Sequence, residues 1–250
     1  MKTLFTLALV CFFAVNVHAQ VKKPVAKKAT TTKTTVKKPT AKTTPVVKTA
    51  VKIPGTRVKI TTDSGVIIIR LYDKTPLHRD NFIKLANEHF FDSLLFHRVM
   101  YQFMIQGGDP NSKNAQPGQM LGTGDIGYTI PSEFNPGFYH KKGALAAART
   151  PDHVNPEKAS SGCQFYIVQG RTWTDIDLNN IEMGKGLPNT RQSKEIPTKR
   201  LAVTLPLDQN YTVFGEVESG LQVVDKIASV RTAPGDRPIS DVRMKIEVMK

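Results

Sequence analysis

Cysteine is scarce: the 250-residue chain has two, Cys11 and Cys163. The first lies inside an apolar run, Leu4 to Val15, that is too short to cross a membrane as a helix. Lys2 precedes that run and Val17-His18-Ala19 follows it. Residues 1–19 therefore read as a secretory signal, cut after Ala19 to leave Gln20 as the mature amino terminus. Leu9-Val10-Cys11 lacks the small residue that precedes a lipid-modified cysteine. The mature chain then keeps one cysteine, which excludes an internal disulfide framework. Cys163 sits in a strand-like run and is expected as a small buried hydrophobe. An exported, periplasmic location is expected.

Acid is missing from residues 21–56, which carry ten lysines within a Lys, Thr, Pro, Val and Ala background. With Lys2, they account for all but +3 of the formal net charge of +14. The folded part is thus only mildly basic, and an argument from charge for nucleic acid as a partner has no basis there. Residues 20–56 have no apolar periodicity that could offset ordering entropy, so a disordered, self-repelling tail is expected. An anionic envelope surface is the partner such a tail could meet.

Reactive-site signatures are also lacking. No His/Cys cluster has metal-ligand spacing, and neither a phosphate-binding loop nor G-x-S-x-G occurs. Gly122-Thr123-Gly124-Asp125-Ile126-Gly127 has dinucleotide-type spacing but opens no helix, so it reads as loop punctuation. No cofactor and no metal are expected.

Short strands are what the sequence does contain. Val58–Thr61 and Val66–Leu71 flank Asp63-Ser64-Gly65 and predict a hairpin. Thr75-Pro76 predicts a helix over 76–90, with Thr75 as its cap. Apolar runs at 96–99, 103–106, 144–148, 164–168 and 211–217 alternate with Gly, Pro and Asn clusters. A second helix is predicted at 219–229 and a last strand at 242–248. Residues 170–206 break the pattern. Thr174 to Asp177 resembles a capping box for a helix near 175–183, so this stretch reads as an insertion. Residues 57–250 are read as one domain of mostly β class.

One segment carries unusual chemistry: Phe96-His97-Arg98-Val99-Met100-Tyr101-Gln102-Phe103-Met104-Ile105-Gln106-Gly107-Gly108-Asp109-Pro110. On a strand, Met104 and Gln106 share a face. Gly143-Ala144-Leu145-Ala146-Ala147-Ala148-Arg149, Ser160-Ser161-Gly162-Cys163-Gln164-Phe165-Tyr166-Ile167-Val168 and Leu207-Asp208-Gln209-Asn210-Tyr211-Thr212-Val213-Phe214-Gly215-Glu216-Val217 follow in order. Together these resemble the cyclophilin-type peptidyl-prolyl cis-trans isomerases over about residues 56–169 and 205–249.

The resemblance implies a closed eight-stranded antiparallel barrel capped by two helices, a groove on its outer surface, and proline-containing peptide segments of exported proteins as partners of a monomer. It also implies roles. Arg98 would stabilise the twisted amide as the catalytic residue. Phe103, Met104, Tyr166 and Leu207 would hold the proline ring, with Tyr211 at the border. Gln106 would bond the substrate and help hold Arg98. Ala148 would anchor the peptide backbone, and Gln164 would support the groove. Tyr166 would place an added hydroxyl at the pocket rim. Arg149, where asparagine is usual, would favour acidic peptides. Pro206 stands where drug-sensitive members carry tryptophan, and Trp173 is expected to pin the insertion helix. A peptide-binding chaperone module with weak catalysis is the alternative reading.

Overall fold

The computed structural model describes residues 55–171 and 207–250. The expected signal, the tail up to residue 54, Cys11, the insertion from residue 172 with its helix near 175–183, Trp173 and Pro206 lie outside the described residues.

The predicted hairpin is formed by Arg57–Thr62 (β1) and Gly65–Leu71 (β2). Its alternation places Val58 opposite Ile69 and Ile60 opposite Ile67, all fully buried. Such β-branched cross-strand pairs are the unit of sheet stabilisation. The first helix, α1, runs Pro76–Asn87 and is shorter than predicted. His89 takes a positive φ of 57°, and the N–H groups of Phe90 and His89 return to the carbonyls of Leu85 and Ala86 at 3.0 and 3.2 Å. That pair of hydrogen bonds is a Schellman stop. The amino end also differs from expectation. Thr75 occupies the cap position without a side-chain cap, and its hydroxyl turns to Tyr72 O instead. The Glu133 carboxylate accepts from the N–H groups of Leu77 and His78, so a distant loop satisfies the helix start.

The remaining strands are Phe96–Met100 (β3), Met104–Gly107 (β4), Thr129–Ile130 (β5), Ala144–Ala147 (β6), Ser160–Ser161 (β7), Phe165–Val168 (β8), Val213–Ser219 (β9) and Met244–Val248 (β10). A second helix, α2 at Leu221–Ala228, precedes β10. Eight strands form one antiparallel sheet in the order β10-β1-β2-β9-β6-β8-β4-β3, and β5 pairs with β7 apart from it. The sheet curls around a single apolar cluster. Ile105, Leu145 and Ile167 line up across β4, β8 and β6 on its inner face. Phe82 and Leu85 of α1 and Val224 and Ile227 of α2 complete that cluster.

The expected closed barrel is a curled half-barrel. β10 and β3 end the strand order, and among the described residues the Leu95–Arg243 bridge and a few hydrogen bonds link the two edges, such as Phe96 N–H to Val242 O at 2.9 Å. Farther along β3, Val99 N–H bonds to Asp236 O at 2.8 Å, so irregular chain rather than a strand covers this edge. Pro234 and Pro238 lie in that covering segment and have no N–H to give to a ladder.

Ile167 is fully buried at the centre of the inner row. Ile167→Ala is expected to cost about 2–5 kcal/mol in urea unfolding. A loss below about 1 kcal/mol would mean that this row is not the packing centre described.

Candidate functional site

The outer face of the same strands carries a second apolar cluster, made of Met104, Ala144, Ala146, Tyr166, Val168, Val213 and Tyr72. The site grows from one cross-strand row. Arg98 on β3 is opposite Gln106 on β4, Gln106 is opposite Tyr166 on β8, and Tyr166 is opposite Ala146 on β6.

A register shift between Phe96 and Arg98 makes that row possible, because Phe96 pairs with Gly107 while Arg98 pairs with Gln106. His97 is the extra residue. With strict alternation, Phe96 and Arg98 would share a face. The bulge sends Phe96 into the core and leaves Arg98 partly exposed on the outer side.

Arg98, Phe103, Met104, Gln106, Ala148, Arg149, Tyr166, Leu207 and Tyr211 line one pocket of about 150 Å³. That is small beside the roughly 300–1,000 Å³ of a drug-sized ligand site, and it suits a single ring. Eight of the nine residues named from the sequence thus share one cavity. Gln164 is the exception and stands one layer back. It lines an adjoining cavity of about 660 Å³ with Gly122, Thr123, Gly124 and Tyr128. There its Nε2 donates to the carbonyls of Gly122 and Gly124 at 3.0 and 2.7 Å, and its Oε1 accepts from Gln106 Nε2 at 3.0 Å.

Several expected contacts are made differently. Gln106 bonds to Gln164, not to Arg98. Arg98 is held by Asp236, with Nε to Oδ2 at 3.3 Å, while Nη2 lies 3.1 Å from Met100 Sδ. The Ala148 backbone is engaged inside the sheet. Its N–H donates to Gln164 O at 2.9 Å, and its carbonyl accepts from Ser161 N–H at 2.8 Å. The next residue, Arg149, makes no main-chain hydrogen bond among the described residues, so its N–H and carbonyl are the groups open to a peptide. The Tyr166 hydroxyl is not at the rim. The residue is buried, and the hydroxyl meets His140 Nε2 at 2.9 Å. His140 Nδ1 in turn donates to Asp208 at 2.6 Å, a tautomer that leaves Nε2 to accept from the tyrosine. Burial, with Tyr211 and Asp208 adding to it, raises the Tyr166 pKa well above its usual value. The Arg149 side chain is only 4% exposed, so it is no surface hook for acidic peptides.

Two loops hold the site from behind. Asp109 accepts from Asn111 N–H at 2.7 Å and from Gly122 N–H. Gly124 packs so closely on Asp109 that a Cβ there would overlap the carboxylate, which explains a glycine in the Gly122-Thr123-Gly124 loop. Cys163 is buried, and burial pushes its thiol up to about 11, which makes it the inert hydrophobe expected. Among the described residues, no group of three or more His, Cys, Asp or Glu side chains could hold a metal ion. His140, Asp208, Asp236 and the buried state of Arg149 escaped the sequence reading. Their contacts join residues 61 to 138 positions apart, and no local pattern reports them.

Fold and site together define a curled antiparallel half-barrel with a ring-sized pocket on the outside of its sheet, beside a held arginine. The family model for cyclophilin type peptidyl-prolyl cis-trans isomerase/CLD matches residues 57–248. A bifunctional phosphatase/peptidyl-prolyl cis-trans isomerase of Streptococcus pyogenes is 34% identical over 197 residues, covering 75% of this chain and 37% of that longer protein. A peptidyl-prolyl cis-trans isomerase of Staphylococcus saprophyticus is 30% identical over 200 residues, covering 78% of this chain and 94% of the relative. Among solved structures, a Cryptosporidium parvum cyclophilin type isomerase has a TM-score of 0.56 at 19% identity, covering 78% of this chain and 98% of that one. This chain belongs to the cyclophilin-type peptidyl-prolyl cis-trans isomerases.

The bulge has an energetic signature. His97 is buried, neither ring nitrogen makes a hydrogen bond of good geometry, and burial lowers its pKa to about 4, with the Leu95 main chain opposing that shift. Arg98 and Arg237 lower it further, while Asp109 opposes them. A depressed histidine pKa means that the unfolded chain binds the extra proton first. The stability His97 contributes is therefore complete above about pH 6.5 and is lost as pH falls toward about 4. Urea unfolding of wild type and His97→Phe between pH 7.5 and 4.5 is expected to show the steeper acid loss in wild type. Parallel curves would contradict the assignment.

Proposed function

We propose that the pocket captures the proline ring of an X-Pro bond while Arg98 stabilises the twisted amide. Rotation about the peptide bond has a barrier of about 18–20 kcal/mol, which reflects lost amide resonance. The perpendicular amide localises a lone pair on the prolyl nitrogen. A donor aimed at that nitrogen is favoured only as the bond twists, so it binds the transition state more strongly than either ground state. Guanidinium suits the task because it is always charged and rigid.

The observation that carries this reading is the ladder pairing of Arg98 with Gln106 at the edge of the ring-sized pocket. Asp236 engages Arg98 through Nε, and Nη1 has no partner among the described residues. Phe103, Met104, Tyr166, Leu207 and Tyr211 provide the apolar socket. Gln106 donates to Gln164, which leaves its Oε1 as an acceptor for a substrate N–H. The main chain of Arg149 offers the backbone pair, with Ala148 leaving room beside it. Proline-containing peptide segments are the proposed ligands, and a Cryptosporidium parvum cyclophilin was crystallised in the presence of the dipeptide Ala-Pro.

In a protease-coupled proline-peptide assay, Arg98→Ala is expected to lower kcat/KM by about 10²–10³, as loss of one transition-state donor does elsewhere. Retained peptide binding with little activity in wild type would instead favour a peptide-binding chaperone module. Near-normal rates in Arg98→Ala would remove the catalytic assignment.

The proposed setting is outside the cytoplasm, as a monomer acting on exported proteins, with the Lys-rich tail meeting an anionic envelope surface. The apolar run at 4–15 and Val17-His18-Ala19 support it. Amino-terminal sequencing of the protein from an exporting host is expected to begin at Gln20. A chain that begins at Met1 would defeat this reading.

A further inference from the structure

Arg149 stands at the far wall of the pocket, and its burial is unusual for an arginine. Every nitrogen of its side chain is engaged. Nε donates to Asn210 O at 2.7 Å, Nη1 to Thr150 O at 2.9 Å, and Nη2 pairs with Asp152 at 2.7 Å. The guanidinium also lies over the Tyr211 ring, 4.6 Å from its centroid. Tyr211 meets the Tyr166 ring edge to face at 6.0 Å. Lys158 adds a bond to Asn210 Oδ1 at 2.6 Å. The segment that carries Tyr211 is short and irregular, and Gln209 within it has a φ of 60°. Main-chain bonding alone does not dictate where its ring points.

We propose that Arg149 is a positioning residue whose planar cation fixes the Tyr211 ring as the preformed far wall of the proline pocket. The guanidinium reaches from the end of β6 to the 207–211 segment and binds that segment in two ways, through a carbonyl and through a ring face. A planar fork can do both at once, and a lysine cannot. At the other end of the segment, His140 holds Asp208 through both its ring and its main-chain N–H, so the wall is pinned on both sides. A wall ordered in advance lowers the ordering cost of binding. Its loss therefore falls on capture of the ring rather than on rotation of the bond.

This inference rests on the proline-pocket reading, so the test separates the two. The Tyr211 ring-flip rate, measured by NMR in the full folded domain, reports the clamp without any assay of activity. Arg149→Met is expected to speed flipping at least tenfold. The same variant is expected to raise KM about three- to tenfold with kcat within about twofold. In a Tyr211→Ala background, Arg149→Met is expected to add no further rise in KM, because contacting residues are not additive. An unchanged flip rate, or an equal rise in KM with and without Tyr211, overturns the proposal. Should Arg149→Met fail to fold, Arg149→Lys takes its place. It keeps a cation near the ring but loses the fork, and an unchanged flip rate there is equally fatal. A wild type that lacks isomerase activity would sink the functional reading, and the flip rate would still decide the clamp.

Discussion

The site depends on one irregularity, the extra residue His97 in β3. Sheet side chains alternate with a period of two, and a change of register by one residue sends each later side chain to the other face. Phe96 belongs in the core and Arg98 belongs outside, two positions apart, and a regular strand cannot provide both. The bulge does so by leaving His97 out of the ladder. Its imidazole is buried, makes no hydrogen bond of good geometry, and lies beside the residue with the chemistry. Beyond the bulge, pairing is regular, and Arg98, Gln106, Tyr166 and Ala146 follow as one row.

That row explains how one sheet serves two purposes. Ile105, Ile167 and Leu145 point inward and build the core, while Met104, Gln106 and Tyr166 point outward and build the groove. The groove inherits the rigidity of the core because the same backbone supports both. Polar groups near it are paired in short chains. Gln106 is set by Gln164 and then by the carbonyls of Gly122 and Gly124, and Tyr166 is set by His140 and then by Asp208. In a low-dielectric setting an unpaired member of such a chain would be costly, so each partner fixes the orientation of the next. The side chains that would touch a peptide are therefore oriented before it arrives.

Much of this could be read from the chain. The hairpin from Arg57 to Leu71, the Pro76 helix start and the later β-branched runs are local patterns, and the elements formed near the predicted positions. The segment from Phe96 to Asp109 and its three later companions gathered residues of which all but Gln164 line a single pocket. The departures share a physical cause. Helix α1 takes its cap from Glu133, 57 residues after the first residue of the helix, rather than from Thr75. The hydroxyl of Tyr166 turns to His140, and the side chain of Arg149 is buried against Asn210 and Tyr211 rather than offered to ligand. Each is a choice among partners that become neighbours only when the sheet has curled.

Sequence alone determined the mostly β class, the order of strands and helices, the inertness expected of Cys163, and most of the side chains that line the pocket. It could do so because apolar period, turn chemistry and residue type are local properties. Tertiary structure decided that β3 bulges at His97, that the barrel edges meet through irregular chain containing Pro234 and Pro238, that Asp236 rather than Gln106 holds Arg98, and that Arg149 supports the pocket wall. These outcomes depend on hydrogen bonds and packing between residues far apart in the chain, where the competition for each partner is settled by geometry and burial.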